Sequence, residues 1–142
     1  MFDPNNKIVL LCAKGMEAEA TRPGEAKALF LAAWQQSVSD FEKFTAAHYV
    51  ARHQETIAGK LQWDKTALEF AMKIDDDKMQ ANYPSLYLNI AKCYEDLGDY
   101  GNAKTNYLAA LSYENQLPGD GYGEMIKQGI RNGIMRVAVN GE

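Results

Sequence analysis

One pattern recurs along this chain and limits what it can fold into. Ala26, Phe30, Ala33 and Trp34 are matched in residue type and spacing by Ala103, Tyr107, Ala110 and Leu111. Thr66, Phe70, Lys73 and Ile74 form a weaker copy between them, at offsets of 40 and 37 residues. The spacing is that of one face of a helix. A helix recurring at a period just above the mid-thirties is the signature of stacked helix–turn–helix units, none of which can bury its own apolar face alone.

The rest of the chain reads as helix in the same way. Asp3-Pro4 is a good helix start, a side-chain acceptor followed by a proline whose missing N–H costs nothing there. Val9, Cys12, Ala13 and Met16 then mark one face, and Thr21 to Gly24 breaks the helix. The second helix carries Ala26 to Trp34. Ser39 and Glu42 are spaced as a capping box opening a third helix, whose apolar face holds Phe41, Phe44, Ala47, His48 and Ala51. A fourth runs from about Thr56 to Ile74, with its first residues left open between helix and loop because Gly59 costs about 1 kcal/mol against alanine in a helix. Asp75-Asp76-Asp77 reads as a solvated turn. A fifth helix starts near Pro84. Leu97-Gly98-Asp99 reads as a stop and a restart: glycine for a left-handed C-cap, aspartate for the next N-cap. The sixth helix carries Tyr100 to Leu111. The seventh, about 122–138, carries Ile126, Gly129, Ile130 and Gly133. No strand pattern is found, so the expected fold is all-α in a single domain over 1–142.

The stretch Tyr83 to Asn115, YPSLYLNIAKCYEDLGDYGNAKTNYLAALSYEN, resembles a tetratricopeptide repeat. Tyr87, Ile90, Ala91 and Tyr94 match the pattern of its first helix, Gly98-Asp99-Tyr100 its turn, and Ala103, Tyr107 and Ala110 its second helix. Asn115 stands where that repeat usually has proline. The resemblance implies a right-handed superhelix of antiparallel helix pairs, with repeats at about 4–38, 39–76 and 83–115 and a C-terminal capping helix. The first two are longer than the usual period by about 6 and 3 residues.

In that family the first helix of each pair lines a concave groove. Taking the residue after each packed small position gives the row Lys14, Tyr49, Lys92 and Arg131, with Asn89 on the same surface as Lys92. The function that the resemblance implies is therefore a non-catalytic scaffold or adaptor binding a protein or an extended acidic peptide, or a C-terminal carboxylate, in the groove. The likeness to chaperone-tail carboxylate clamps is faint: Asn89 fits them, whereas Leu10, Thr45 and Leu88 do not. A self-assembling module that uses an open end of the repeat stack, and so a homo-oligomer, is another reading.

An enzymatic alternative lies in LPGDGYGEM, where Gly119, Gly121 and Gly123 make a G-x-G-x-G that could serve S-adenosylmethionine or a nucleotide. Such a loop must follow a buried strand and open a helix. Here a helix-periodic segment precedes it, so the expected role is a turn, with Asp120 capping the last helix. His48 and His53, five residues apart, do not share a helix face, and neither a metal nor another cofactor is expected. Glu17, Glu19, Glu95 and Asp96 are expected on solvent-facing turns. Cys12 and Cys93 are expected as buried reduced thiols in a cytoplasmic protein. The net charge of −4 argues against nucleic acid. The longest apolar run near the start, Ile8 to Ala13, is too short for a signal peptide or a membrane span.

Overall fold

Local capping chemistry sets most of the helix boundaries. The structure, a computed structural model, describes residues 3–140. Helix α1 (Lys7–Ala18) is capped by Asn6, whose side-chain oxygen accepts from the Ile8 and Val9 amides at 2.8 and 3.2 Å. The helix therefore starts later than Asp3-Pro4 predicts. Asp3 instead accepts from the Asn5 amide at 2.9 Å, a local turn that competes with helix. Helix α2 (Pro23–Gln36) opens on its proline. Helix α3 (Asp40–Ala51) has the expected capping box, with Ser39 Oγ accepting from the Glu42 amide and Glu42 Oε1 accepting from the Ser39 amide, each at 3.1 Å. The other Glu42 oxygen accepts from Asn6 Nδ2 at 2.9 Å, so one carboxylate ties the starts of α1 and α3 together.

Thr56 caps α4 (Ile57–Met72) by accepting from the Gly59 amide at 3.0 Å, which places Gly59 in the first turn of the helix. Asp76, in the expected turn, caps a short 3-10 helix (Asp77–Asn82) that leads into α5 (Tyr83–Asp96). Gly98 has φ +82, and the Asp99 amide reaches back to the Tyr94 carbonyl at 2.9 Å. That is a Schellman stop, which needs a residue at ease in the left-handed region. Asp99 then caps α6 (Tyr100–Ser112), and a short 3-10 helix (Glu114–Gln116) follows it. Helix α7 (Gly121–Asn140) is the longest of the seven α-helices among the described residues. These residues hold no strand, and no helix is long and apolar enough to cross a membrane.

The chain divides into two compact units, residues 1–74 and 75–142, with the boundary at the aspartate run inside the single domain expected from sequence. In the first unit α1 packs on α2, α2 on α3 and α3 on α4, and α1 also touches α3. Phe30 on α2 is fully buried at the centre, among Ile8, Cys12, Ala26 and Val50. It lies so close to α1 that a Cβ on Gly15 would sit 2.4 Å from the ring. The face expected for α1 is corrected: the structure buries Ile8, Cys12, Gly15 and Ala18, and Met16 is 43% exposed. The true face turns on a glycine, which an apolar pattern does not register. On α3 the buried residues are Ala46, Ala47, Val50 and Ala51, while Phe41, Phe44 and His48 remain half-buried. Small residues hold the contact line and leave the rings at its edge.

The second unit is a three-helix arrangement in which α5, α6 and α7 each touch the other two. Tyr107 on α6 is its largest fully buried side chain. It packs with Ala91, Ala103 and Val137, and a Cβ on Gly133 of α7 would fall 2.2 Å from its ring. Burying a ring of this size contributes about 1.5–3 kcal/mol.

Candidate functional site

The residues of the expected groove fall in both units. In the first, Lys14 stands exposed on α1. Tyr49 on α3 is half-buried and stacks on Phe30, with ring centroids 5.1 Å apart and planes 12° apart, while the Arg52 guanidinium lies 5.4 Å from its centroid. Burial, followed by the neighbouring Cys12, raises its phenol pKa. Tyr49 is thus committed in part to packing.

In the second unit Asn89 is half-buried and Lys92 exposed, on one flank of α5. Lys92 pairs with Asp96 one turn on, at 2.5 Å. Arg131 is exposed on α7 and pairs with Glu114, in the 3-10 turn after α6. The α7 residues that meet α5 include Gly129, whose Cβ would lie 3.2 Å from Leu88, and Arg136, which binds Glu95. At about 100° per residue Arg131 points some 200° away from Gly129. The structure therefore brings Asn89 and Lys92 together and sends Arg131 elsewhere.

Two polar clusters were not legible in the sequence. Arg136 Nε and Nη2 donate to the two oxygens of Glu95 at 2.8 and 3.1 Å. The Tyr107 hydroxyl donates to Glu95 Oε1 at 2.6 Å, and Arg136 Nη2 also reaches that hydroxyl at 3.2 Å. The guanidinium and then the phenol, both bonding to the charged form, hold the Glu95 pKa below the usual carboxylate value despite desolvation. In the first unit Glu19 accepts from Arg52 Nη2 at 3.0 Å and lies 2.9 Å from His53 Nε2. Glu19 and Glu95 are both half-buried interhelical ties, which corrects their expected place on solvent-facing turns.

Asp64 on α4 is 3% exposed and is paired with Lys60 at 2.6 Å. His48 packs edge-on to Tyr49, and its buried Nδ1 meets no hydrogen-bond partner. Burial lowers its pKa, and Asp64 opposes that shift. Cys12 and Cys93 are buried and joined in no disulfide, and burial pushes the Cys12 pKa up to about 11.

A third grouping is aromatic. Trp34, in the last turns of α2, meets Trp63 of α4 edge to face at 5.0 Å and Phe70 of α4 at 6.0 Å. Lys43 Nζ, from the first turn of α3, lies 5.7 Å from the Trp34 ring centroid and 5.3 Å from that of Phe70. Lys73 Nζ lies 4.7 Å from the Phe70 centroid.

Comparisons of the chain with protein-family models, with curated proteins and with solved structures give no match. The G-x-G-x-G segment lies at the start of α7, where Asp120 Oδ1 accepts from the Gly123 amide at 2.9 Å. None of its glycines has positive φ, and a Cβ on Gly123 would fall 1.8 Å from the Pro118 carbonyl oxygen. Close backbone approach at a helix start accounts for that glycine. A shallow open depression of about 410 Å³ lies nearby in sequence, lined by Leu111, Ser112, Glu114, Asn115 and Lys127 and by none of the three glycines. Among the described residues no three His, Cys, Asp or Glu side chains gather as metal ligands would.

Proposed function

We propose that this chain is a non-catalytic binding scaffold built of tetratricopeptide-like helix pairs, and that it holds an extended acidic peptide along the exposed flank of α5. One observation supports the repeat reading above the others. In each unit an aromatic residue of a second helix, Phe30 or Tyr107, is wedged between the helix before it and the helix after it. Stacking of this kind is how helix pairs that cannot bury their own faces come to share a core.

The binding surface is narrower than the row read from sequence, because Tyr49 is packed and Arg131 turns to Glu114. It centres on Asn89 and Lys92. The Lys92–Asp96 pair is exposed and local, worth about 0.3–0.5 kcal/mol. Its ammonium can exchange Asp96 for a partner's carboxylate at little cost, while the Asn89 amide supplies a donor and an acceptor to an extended backbone. Two buried cysteines outside any disulfide suit a reducing compartment such as the cytoplasm.

The test is binding of a panel of extended ten-residue peptides of graded net charge, with wild-type protein and with the double variant Asn89→Ala, Lys92→Glu, checked for helicity. Acidic peptides should bind selectively, more weakly as salt rises, and the double variant should lose them. Equal retention of neutral and acidic peptides, or an unaffected double variant, would remove the α5 flank from consideration.

A further inference from the structure

The aromatic grouping of the first unit goes beyond peptide binding along α5. Trp63 and Phe70 are seven residues apart on α4, two helical turns, and so present their rings on one face. Trp34 from α2 closes the angle between them, meeting both edge to face. All three residues are half-buried, so none is sealed wholly in the core. The electron-rich faces of aromatic rings attract cations within about 6 Å of the centroid. The Lys43 ammonium already sits at that range from two of the three rings.

A lysine ammonium is a poor ligand for such a place. It is compact and strongly hydrated, and it must give up water to approach a ring. A methylated ammonium spreads the same charge over methyl groups, sheds water more easily and gains apolar contact with the rings. Lys73 does not compete in the same way, since it leans on the Phe70 ring from its own helix and has Glu69 at 3.9 Å. Lys43 comes from a different helix and bridges two rings. It occupies the position that a cationic ligand would take.

We propose that Trp34, Trp63 and Phe70 form a binding site for a quaternary methylammonium group, and that Lys43 is its resident stand-in, displaced when the ligand arrives. The same head group occurs on free choline-like molecules and on trimethylated lysine side chains.

The chain contains two tryptophans, and both belong to this site, so intrinsic fluorescence reads it directly. Wild-type protein and the variants Lys43→Ala and Phe70→Leu would be titrated with choline, with its neutral isostere 3,3-dimethylbutan-1-ol, and with sodium chloride at matched ionic strength. A saturable change with choline alone is expected, several-fold tighter in Lys43→Ala and lost in Phe70→Leu, with helicity retained in both. A trimethyllysine peptide that binds more tightly than choline, with its unmethylated form inert, would identify a protein source. Equal affinity for the peptide and choline would identify the free head group. If choline perturbs neither wild type nor Lys43→Ala more than the isostere does, the proposal is overturned. Lys43→Ala removes only a partly exposed surface lysine, so that variant keeps the outcome decisive even if Phe70→Leu unfolds.

Discussion

The two units solve one packing problem with different aromatic tips. In the first, Phe30 lies over Gly15 and is stacked by Tyr49, and the Glu19–Arg52–His53 cluster stands beside that stack, joined to it through Arg52 over Tyr49. In the second, Tyr107 lies over Gly133 and its hydroxyl enters the polar cluster itself, bonded to Glu95 and reached by Arg136. Both arrangements tie the first helix of the unit to the third by a half-buried carboxylate. In the first the stacked rings stand beside that tie, and in the second the ring's hydroxyl shares an oxygen of it. The shape of the niche is thus fixed by a glycine and a ring, and the chemistry at the tip of the ring is free to differ.

The strongest way to break this equivalence is to empty both niches. Phe30→Ala and Tyr107→Ala should each cost about 3–5 kcal/mol in urea unfolding followed by circular dichroism. A cost under about 0.5 kcal/mol for either, the range of surface sites, would show that its ring is not central to its unit. Next come the glycines. Gly15→Ala and Gly133→Ala push a methyl into a ring and should each destabilise by about 1–3 kcal/mol. Pairing each with the smaller ring-site residue, Phe30→Leu or Tyr107→Leu, should cost less than the sum of the two single changes. Strict additivity would separate glycine from ring.

The hydroxyl sharpens the contrast. Tyr107→Phe should cost about 0.5–1.5 kcal/mol, because Glu95 loses one donor but keeps Arg136. Combining it with Arg136→Met should reveal coupling, and independence of the two would mean that the shared oxygen carries nothing. The smallest effect is in acid. Burial depresses the His48 pKa below its ordinary 6.5, so the unfolded chain takes a proton there that the folded one resists. Stability in the first unit should therefore fall as pH drops below about 6.5, with a slope of at most about 1.4 kcal/mol per pH unit, and His48→Leu should flatten it. Glu95 acts lower. Its pKa lies beneath the ordinary 4.5, so its contribution is present above that value and lost as pH falls through the depressed one. Tryptophan fluorescence, which reports the first unit alone, should thus register the earlier loss. A transition that begins only below pH 4.5 would contradict the His48 assignment.

What the sequence disclosed was what is encoded within a few residues. Ser39 with Glu42, Gly98 with Asp99, and Asp120 before Gly121 each state a helix boundary through neighbours three or four positions away, and each lies where expected. The central place of Tyr107 was also legible, because Ala103 and Ala110 flank it at helical spacing. Gly15 was missed because a glycine adds nothing to an apolar pattern, and the face of α1 was misjudged with it. The pairs Glu19–Arg52 and Glu95–Arg136 span 33 and 41 residues, and nothing local marks either partner. The Arg131–Glu114 pair, 17 residues apart, is unmarked for the same reason. The aromatic site draws on α2, α3 and α4 together and has no signature in any one of them.

The main helix contacts of each unit join neighbours in the chain or neighbours but one, and time is where this matters most. A helix pair such as α1 and α2 can close as soon as both have left the ribosome, without waiting for distant sequence, since closing a short loop carries little delay. Chains dominated by such near contacts fold in microseconds to milliseconds, far faster than synthesis at roughly 5–20 residues per second. Phe30 should meet Gly15 well before Tyr107 has been translated. The nascent first unit would then expose an apolar surface only briefly, and a stalled chain ending near residue 74 should already be resistant to protease.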